Sequence, residues 1–272
     1  VNTAEEILRE LCDRLPPDDA TVLRAEPGVA EVPATRIADP AWLAEQIRLR
    51  GLMCGSEDQR VLATLWWYSA GTVLVTPALA ALVVTGDALS PALDDTVLHR
   101  APSGRLTGSH STAVLGPDPD RLGAALGAAL ATVISALSAF TNGRERPLWA
   151  IATDAIANRL LWAGQAVGRV REATDLAAPI VAAADPRLPP PRYVDVTAGP
   201  DYEFGADTGF GTGTGTGTGA SVGTVATRRF VRRASCCLLY RIPGEGMCTS
   251  CPGRAPAERA ELLRFITARS AA

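Results

Sequence analysis

The chain has 272 residues, 47% of them hydrophobic and 20% charged, with a formal net charge of -3. That is enough apolar material for one large domain, or for one domain with a small appendage, and it excludes disorder as the default state. The near-neutral balance also excludes a general polyanion binder, so no nucleic-acid partner is expected.

The chain starts at Val1 rather than Met, as a fragment or a GUG-initiated chain would, and residues 2–15 carry several charges without an apolar stretch, so no signal peptide is expected. Thr3 followed by Glu6 forms a capping-box pattern and predicts a helix over residues 4–14. Asp39-Pro40 opens a second helix, with Gly51 as its stop, and Ser56-Glu57-Asp58 opens a third. Residues 61–86 and 122–143 carry no charge, and either run is long enough to cross a bilayer. Both are rich in Ala, Gly, Ser and Thr, and Pro77 interrupts the first, so two or three helices buried in a soluble bundle are expected. Trp66, Trp67 and Tyr68 read as core and rim packing.

Residues 94–116 read as two short strands around a Ser103-Gly104 turn. Both histidines, His99 and His110, lie there; they can face each other across the hairpin and touch a ligand, although the ordinary reading is a polar strand face. Asp118-Pro119 starts a helix reaching about Phe140 and ended by Asn142-Gly143; a further helix covers residues 147–169, and helical pattern fades near Asp185-Pro186. Composition then shifts to a Pro-rich stretch and an alternating Gly-Thr run at 211–219. With no Lys in the chain and no strand–loop–helix context, that run reads as linker and not as a phosphate loop. The expected division is a helical body at 1–186, a linker at 187–226 and a cysteine-bearing module at 227–272, closed by a helix at 256–269 that packs through Leu262, Leu263 and Ile266.

Four of the six cysteines, Cys236, Cys237, Cys248 and Cys251, fall within sixteen positions in the pattern C-C-x10-C-x2-C. In a reducing compartment, clustered thiols bind metal more often than they pair as disulfides. Four thiolates suit a [2Fe–2S] cluster, two per iron, and also suit tetrahedral zinc. The adjacent Cys236-Cys237 favours the wider two-iron centre, because neighbours chelate a single ion with difficulty, and with no His nearby a Rieske centre does not fit. Arg228, Arg229, Arg232, Arg233 and Arg241 surround the motif in sequence; Arg232 and Arg233 are candidates for tuning the centre or docking an anionic partner. The alternative is a solvated basic edge, since every residue in the Lys+Arg count is Arg. Cys12 and Cys54 read as small buried hydrophobes.

The C-C-x10-C-x2-C motif resembles that of the FhuF-like ferric-siderophore reductases, in which it holds a [2Fe–2S] cluster. Residues 65–82 and 149–159 also resemble that family's helical core, more weakly, and the Gly-Thr tract departs from its pattern. The resemblance implies a cytoplasmic enzyme that reduces Fe(III) in an imported siderophore, recharged by a ferredoxin or flavoprotein. The expected fold class is mostly α (α+β): a helical bundle body, a small antiparallel hairpin and a C-terminal iron–sulfur module. A peripheral membrane contact is compatible with the uncharged runs. The rival readings are a structural zinc tail on a non-redox helical protein and an iron–sulfur redox or iron sensor.

Overall fold

Capping chemistry near the N-terminus sets the first element. In a computed structural model that describes residues 2–199 and 225–269, Glu6 N–H donates to the Thr3 hydroxyl while Glu6 carboxylate accepts from Thr3 N–H, and α1 runs Ala4–Arg14 as expected. A one-turn helix α2 (Pro17–Ala20), a 3₁₀ turn (Thr21–Leu23) and strand β1 (Ala30–Pro33) follow. Helix α3 (Pro40–Cys54) is capped by the Asp39 carboxylate and ends at Gly55, whose φ of 59° is left-handed. Gly51 is therefore not the stop. It lies within the last turns, where a Cβ would sit 2.9 Å from the Ser56 carbonyl oxygen, so its small size serves a close backbone approach.

Helix α4 (Gln59–Thr85) runs unbroken through Pro77. The sequence predicts a break there, because proline has no N–H for the carbonyl four residues back. That carbonyl belongs to Val73, and it accepts instead from the Ser109 hydroxyl at 2.7 Å. A side chain from a neighbouring strand supplies the missing donor, and the helix continues. Strand β2 (Ala88–Leu89) follows, then β3 (Thr96–Arg100), β4 (Leu106–Ser111) and β5 (Val114–Gly116). The expected two-strand hairpin is a three-stranded antiparallel sheet in the order β1-β3-β4, because β1 adds along β3 with Glu31 opposite His99; β2 pairs with β5.

Helix α5 (Pro119–Thr141) is capped by Asp118 and closed by Asn142 at φ 46°. Helix α6 (Glu145–Ala166) begins two residues earlier than expected and gives way to α7 (Val170–Asp175) and α8 (Ala177–Ala184). Helix α4 packs on α6, β2 and β4, and α5 packs on α8. Trp67 and Trp149 are fully buried, and Trp67 Nε1 donates to the Leu148 carbonyl at 2.9 Å. Both α4 and α5 are long and apolar enough to cross a bilayer; 72% of the most apolar window of α4 is buried within the fold, against 50% for α5.

Strands β6 (Tyr193–Ala198) and β7 (Ala226–Val231) pair antiparallel, and α9 (Pro256–Arg269) packs on both. The stretch read as linker thus opens with a strand, fixed by a bidentate Arg229–Asp195 pair at 2.7 and 2.8 Å; the Gly-Thr run lies outside the described residues. Helix α9 has the expected bounds, but its buried positions are Glu261, Leu263, Thr267 and Ala268 rather than Leu262 and Ile266. The chain divides into two units, Val1–Pro191 with Ala234–Gly246, and Arg192–Arg233 with Met247–Ala272. The segment from 234 to 246 therefore belongs with the helical body rather than with a separate tail. The architecture is mostly helical with small antiparallel sheets and a cysteine cluster near the C-terminus.

Candidate metal centre

The first cysteine pair is set by a buried carboxylate. Asp154 lies on α6, 1% exposed, in a helix face otherwise built of Ile151, Ala155 and Ile156. A buried carboxylate is costly unless hydrogen-bonded. Asp154 accepts from Ala234 N–H at 2.8 Å, Ser235 N–H at 3.1 Å and the Ser235 hydroxyl at 2.5 Å. This fixes the backbone directly before Cys236. Two residues on, Leu238 adopts φ 62°, a left-handed conformation that costs a non-glycine residue about 1–2 kcal/mol. Its N–H points at Cys236 Sγ, 3.4 Å away. A 3₁₀ turn (Leu239–Arg241) then leads away. Cys237 is buried and Cys236 half-buried.

The second pair lies on a tight turn in the other unit. Cys251 N–H donates to the Cys248 carbonyl at 3.0 Å, so Thr249 and Ser250 form the corner. Arg254 clamps this turn: its Nε donates to the Cys248 carbonyl at 3.0 Å, its Nη2 to the Met247 carbonyl, and its Nη1 pairs with Glu258 on α9. Arg259 reaches the Cys251 carbonyl at 3.3 Å. Arg233, only 8% exposed, places Nη1 3.1 Å from Cys248 Sγ. A thiol is a weak acceptor, whereas a thiolate is a strong one, so a buried guanidinium and an amide N–H aimed at cysteine sulfurs fit ligands held as thiolates.

The arginines expected near the motif separate by role. Arg233 touches a cysteine sulfur; Arg232 is exposed, and its backbone N–H pairs with the Arg192 carbonyl. Arg229 pairs with Asp195, Arg228 stacks over Phe230 at 5.4 Å, and Arg241 lies 3.9 Å from Asp58. Asp154 and Arg254 went unread in the sequence. For Asp154 a signal existed, a lone acid within an apolar helical stripe; Arg254 is one arginine among many. All six cysteines are free; Cys12 is buried, which pushes its thiol pKa up, while Cys54 is half-buried. The two histidines do face each other: His99 Nε2 lies 2.8 Å from His110 Nδ1. Burial first, and the neighbouring His110 second, push the His99 imidazole down to about 4.

No curated protein matches the chain. Residues 233–252, which include all four clustered cysteines, match the model of the FhuF 2Fe-2S C-terminal domain. The body segments 65–82 and 149–159 lie outside that match. Of the two metals that the cysteine count leaves open, the match selects iron–sulfur over zinc. In residues 233–252 the chain therefore carries a FhuF 2Fe-2S C-terminal domain, whose cofactor is a [2Fe–2S] cluster.

Proposed function

We propose that the protein is a cytoplasmic one-electron ferric-siderophore reductase, with Cys236, Cys237, Cys248 and Cys251 as the four ligands of its cluster. The observation that carries this reading is the FhuF 2Fe-2S match over the segment holding all four. When bound, such a cluster supplies a one-electron couple. The chain's own residues set the conditions. Arg233 keeps a positive charge at Cys248 Sγ, which favours the more negative reduced state and raises the potential. Leu238 N–H does the same at Cys236 Sγ. Asp154 and Arg254 hold the backbone beside each cysteine pair, so little reorganisation accompanies a change of charge.

The substrate chemistry follows from ligand hardness. Hard oxygen donors hold Fe(III) far more tightly than Fe(II), so one electron turns a locked complex into a releasing one. One electron enters from a ferredoxin or flavoprotein and one leaves to Fe(III); the products are Fe(II) and the freed siderophore.

The test is anaerobic purification with iron and sulfide analysis, EPR of the dithionite-reduced protein, and single-turnover mixing with a ferric siderophore under an Fe(II)-trapping chelator. Two irons and two sulfides per chain, an EPR-active reduced state and one trapped Fe(II) per reduced chain are expected. Each single Cys→Ser change at the four positions should abolish or strongly alter the visible absorption. One zinc per colourless chain, or four variants with unchanged spectra, would overturn the ligand assignment. A reduced cluster that is inert towards ferric siderophores would leave a sensor instead.

A further inference from the structure

The sheet β1-β3-β4 gathers three metal-ligating side chains on one face. Glu31 lies opposite His99 across β1 and β3, and His99 lies opposite Gly108 across β3 and β4. His110 is two residues beyond Gly108 on β4, so its side chain rises from the same face. The ligand atoms of Glu31, His99 and His110 all lie within 4.8 Å of one another. His110 Nδ1 is 2.8 Å from His99 Nε2 and 3.9 Å from Glu31 Oε1.

The ends of this cluster differ in exposure. His99 is fully buried, and its Nδ1 finds no hydrogen-bond partner. The 3₁₀ turn Thr21–Leu23 closes over Gly108, the residue opposite His99, where a Cβ would lie 2.0 Å from the Val22 carbonyl oxygen. Glu31 retains 56% side-chain exposure, and His110 retains 22%. One candidate ligand is thus buried, one half-buried and one exposed to solvent.

We propose that Glu31, His99 and His110 form a binding site for a divalent first-row transition-metal ion, separate from the cysteine centre. Two imidazoles and a carboxylate on one face leave the opposite positions open, the donor set that suits Fe(II) and its neighbours. On binding, the proton between the rings moves to the far nitrogen of the ring that carried it. The ion then takes both lone pairs, and no net proton is released from a neutral pair. The proposal does not rest on siderophore reduction and stands or falls apart from it.

The experiment is anaerobic calorimetric titration of the full-length, cluster-loaded protein with Co(II) chloride at pH 7.5, with the visible spectrum recorded alongside. One equivalent is expected to bind with no change in cluster absorption and no sulfur-to-cobalt charge-transfer band. Glu31→Ala and His110→Ala, both at accessible positions, should each weaken binding at least tenfold while circular dichroism stays native. His99→Ala is uninformative alone because it opens the core, so the two accessible variants decide. No binding at 100-micromolar Co(II), as an order of magnitude, overturns the site. So does binding that survives both substitutions, or binding that appears only as cluster absorption is lost.

Discussion

Replacing Asp154 by alanine should loosen the backbone that presents Cys236 and Cys237, although residue 154 is some eighty positions away. The substitution removes the acceptor for two N–H groups and one hydroxyl. Ala234 is exposed, so water can replace its partner; Ser235 is 6% exposed, and its N–H and hydroxyl are left without the carboxylate. Each buried donor stripped of its acceptor costs about 1–3 kcal/mol, and relief from burying the carboxylate returns part of that. A net loss of about 3 kcal/mol is expected, a large share of a typical domain's stability. Asp154→Asn should cost about 2 kcal/mol, because its amide keeps one acceptor oxygen but turns an N–H towards other donors. Urea unfolding followed by far-ultraviolet circular dichroism reads the stability, and iron per chain after anaerobic purification reads the site. An Asp154→Ala protein with the wild-type midpoint and full iron content would refute the clamp.

Arg233→Gln should lower the reduction potential on the order of 50–100 mV, from the loss of a buried charge beside Cys248 Sγ, as read by EPR-monitored titration; an unchanged potential would remove Arg233 from the tuning role. Ser109→Ala should cost about 1–2 kcal/mol by orphaning the Val73 carbonyl, and thermal melts should show it while leaving the cluster spectrum intact. His99 resists protonation in the folded state down to about 4, whereas the unfolded chain accepts the proton near 6.5. Stability from this source is therefore complete above pH 6.5 and lost as pH falls towards 4, by an amount of order 3 kcal/mol in metal-free protein. Urea midpoints at pH 7 and pH 4.5 should differ less in His99→Gln than in the parent chain; equal differences would count against it.

Local chemistry was readable where one residue type has one cause. Thr3 with Glu6, Asp118-Pro119 and Asn142 marked helix ends correctly because capping is decided within four residues. Pro77 misled because its remedy, Ser109, comes from thirty-two positions away. Gly51 misled because close packing against Ser56 and a helix stop call for the same residue. Strand β1 was missed because four residues ending in proline form a strand only when β3 offers an edge. At the site, the cysteine spacing was legible as a pattern, whereas Asp154 and Arg254 act through backbone atoms that no spacing encodes.

The bond between Ser109 and the Val73 carbonyl gives substitutions at Pro77 and Ser109 a preferred order. If Pro77 is first exchanged for a residue with an amide hydrogen, the helix supplies its own donor and Ser109 becomes free to vary at little cost. If Ser109 goes first, the chain must pass through a form with an unanswered carbonyl inside the fold. Lineages descending from such a chain should therefore keep serine wherever proline persists, and drift at both positions only after the proline has gone.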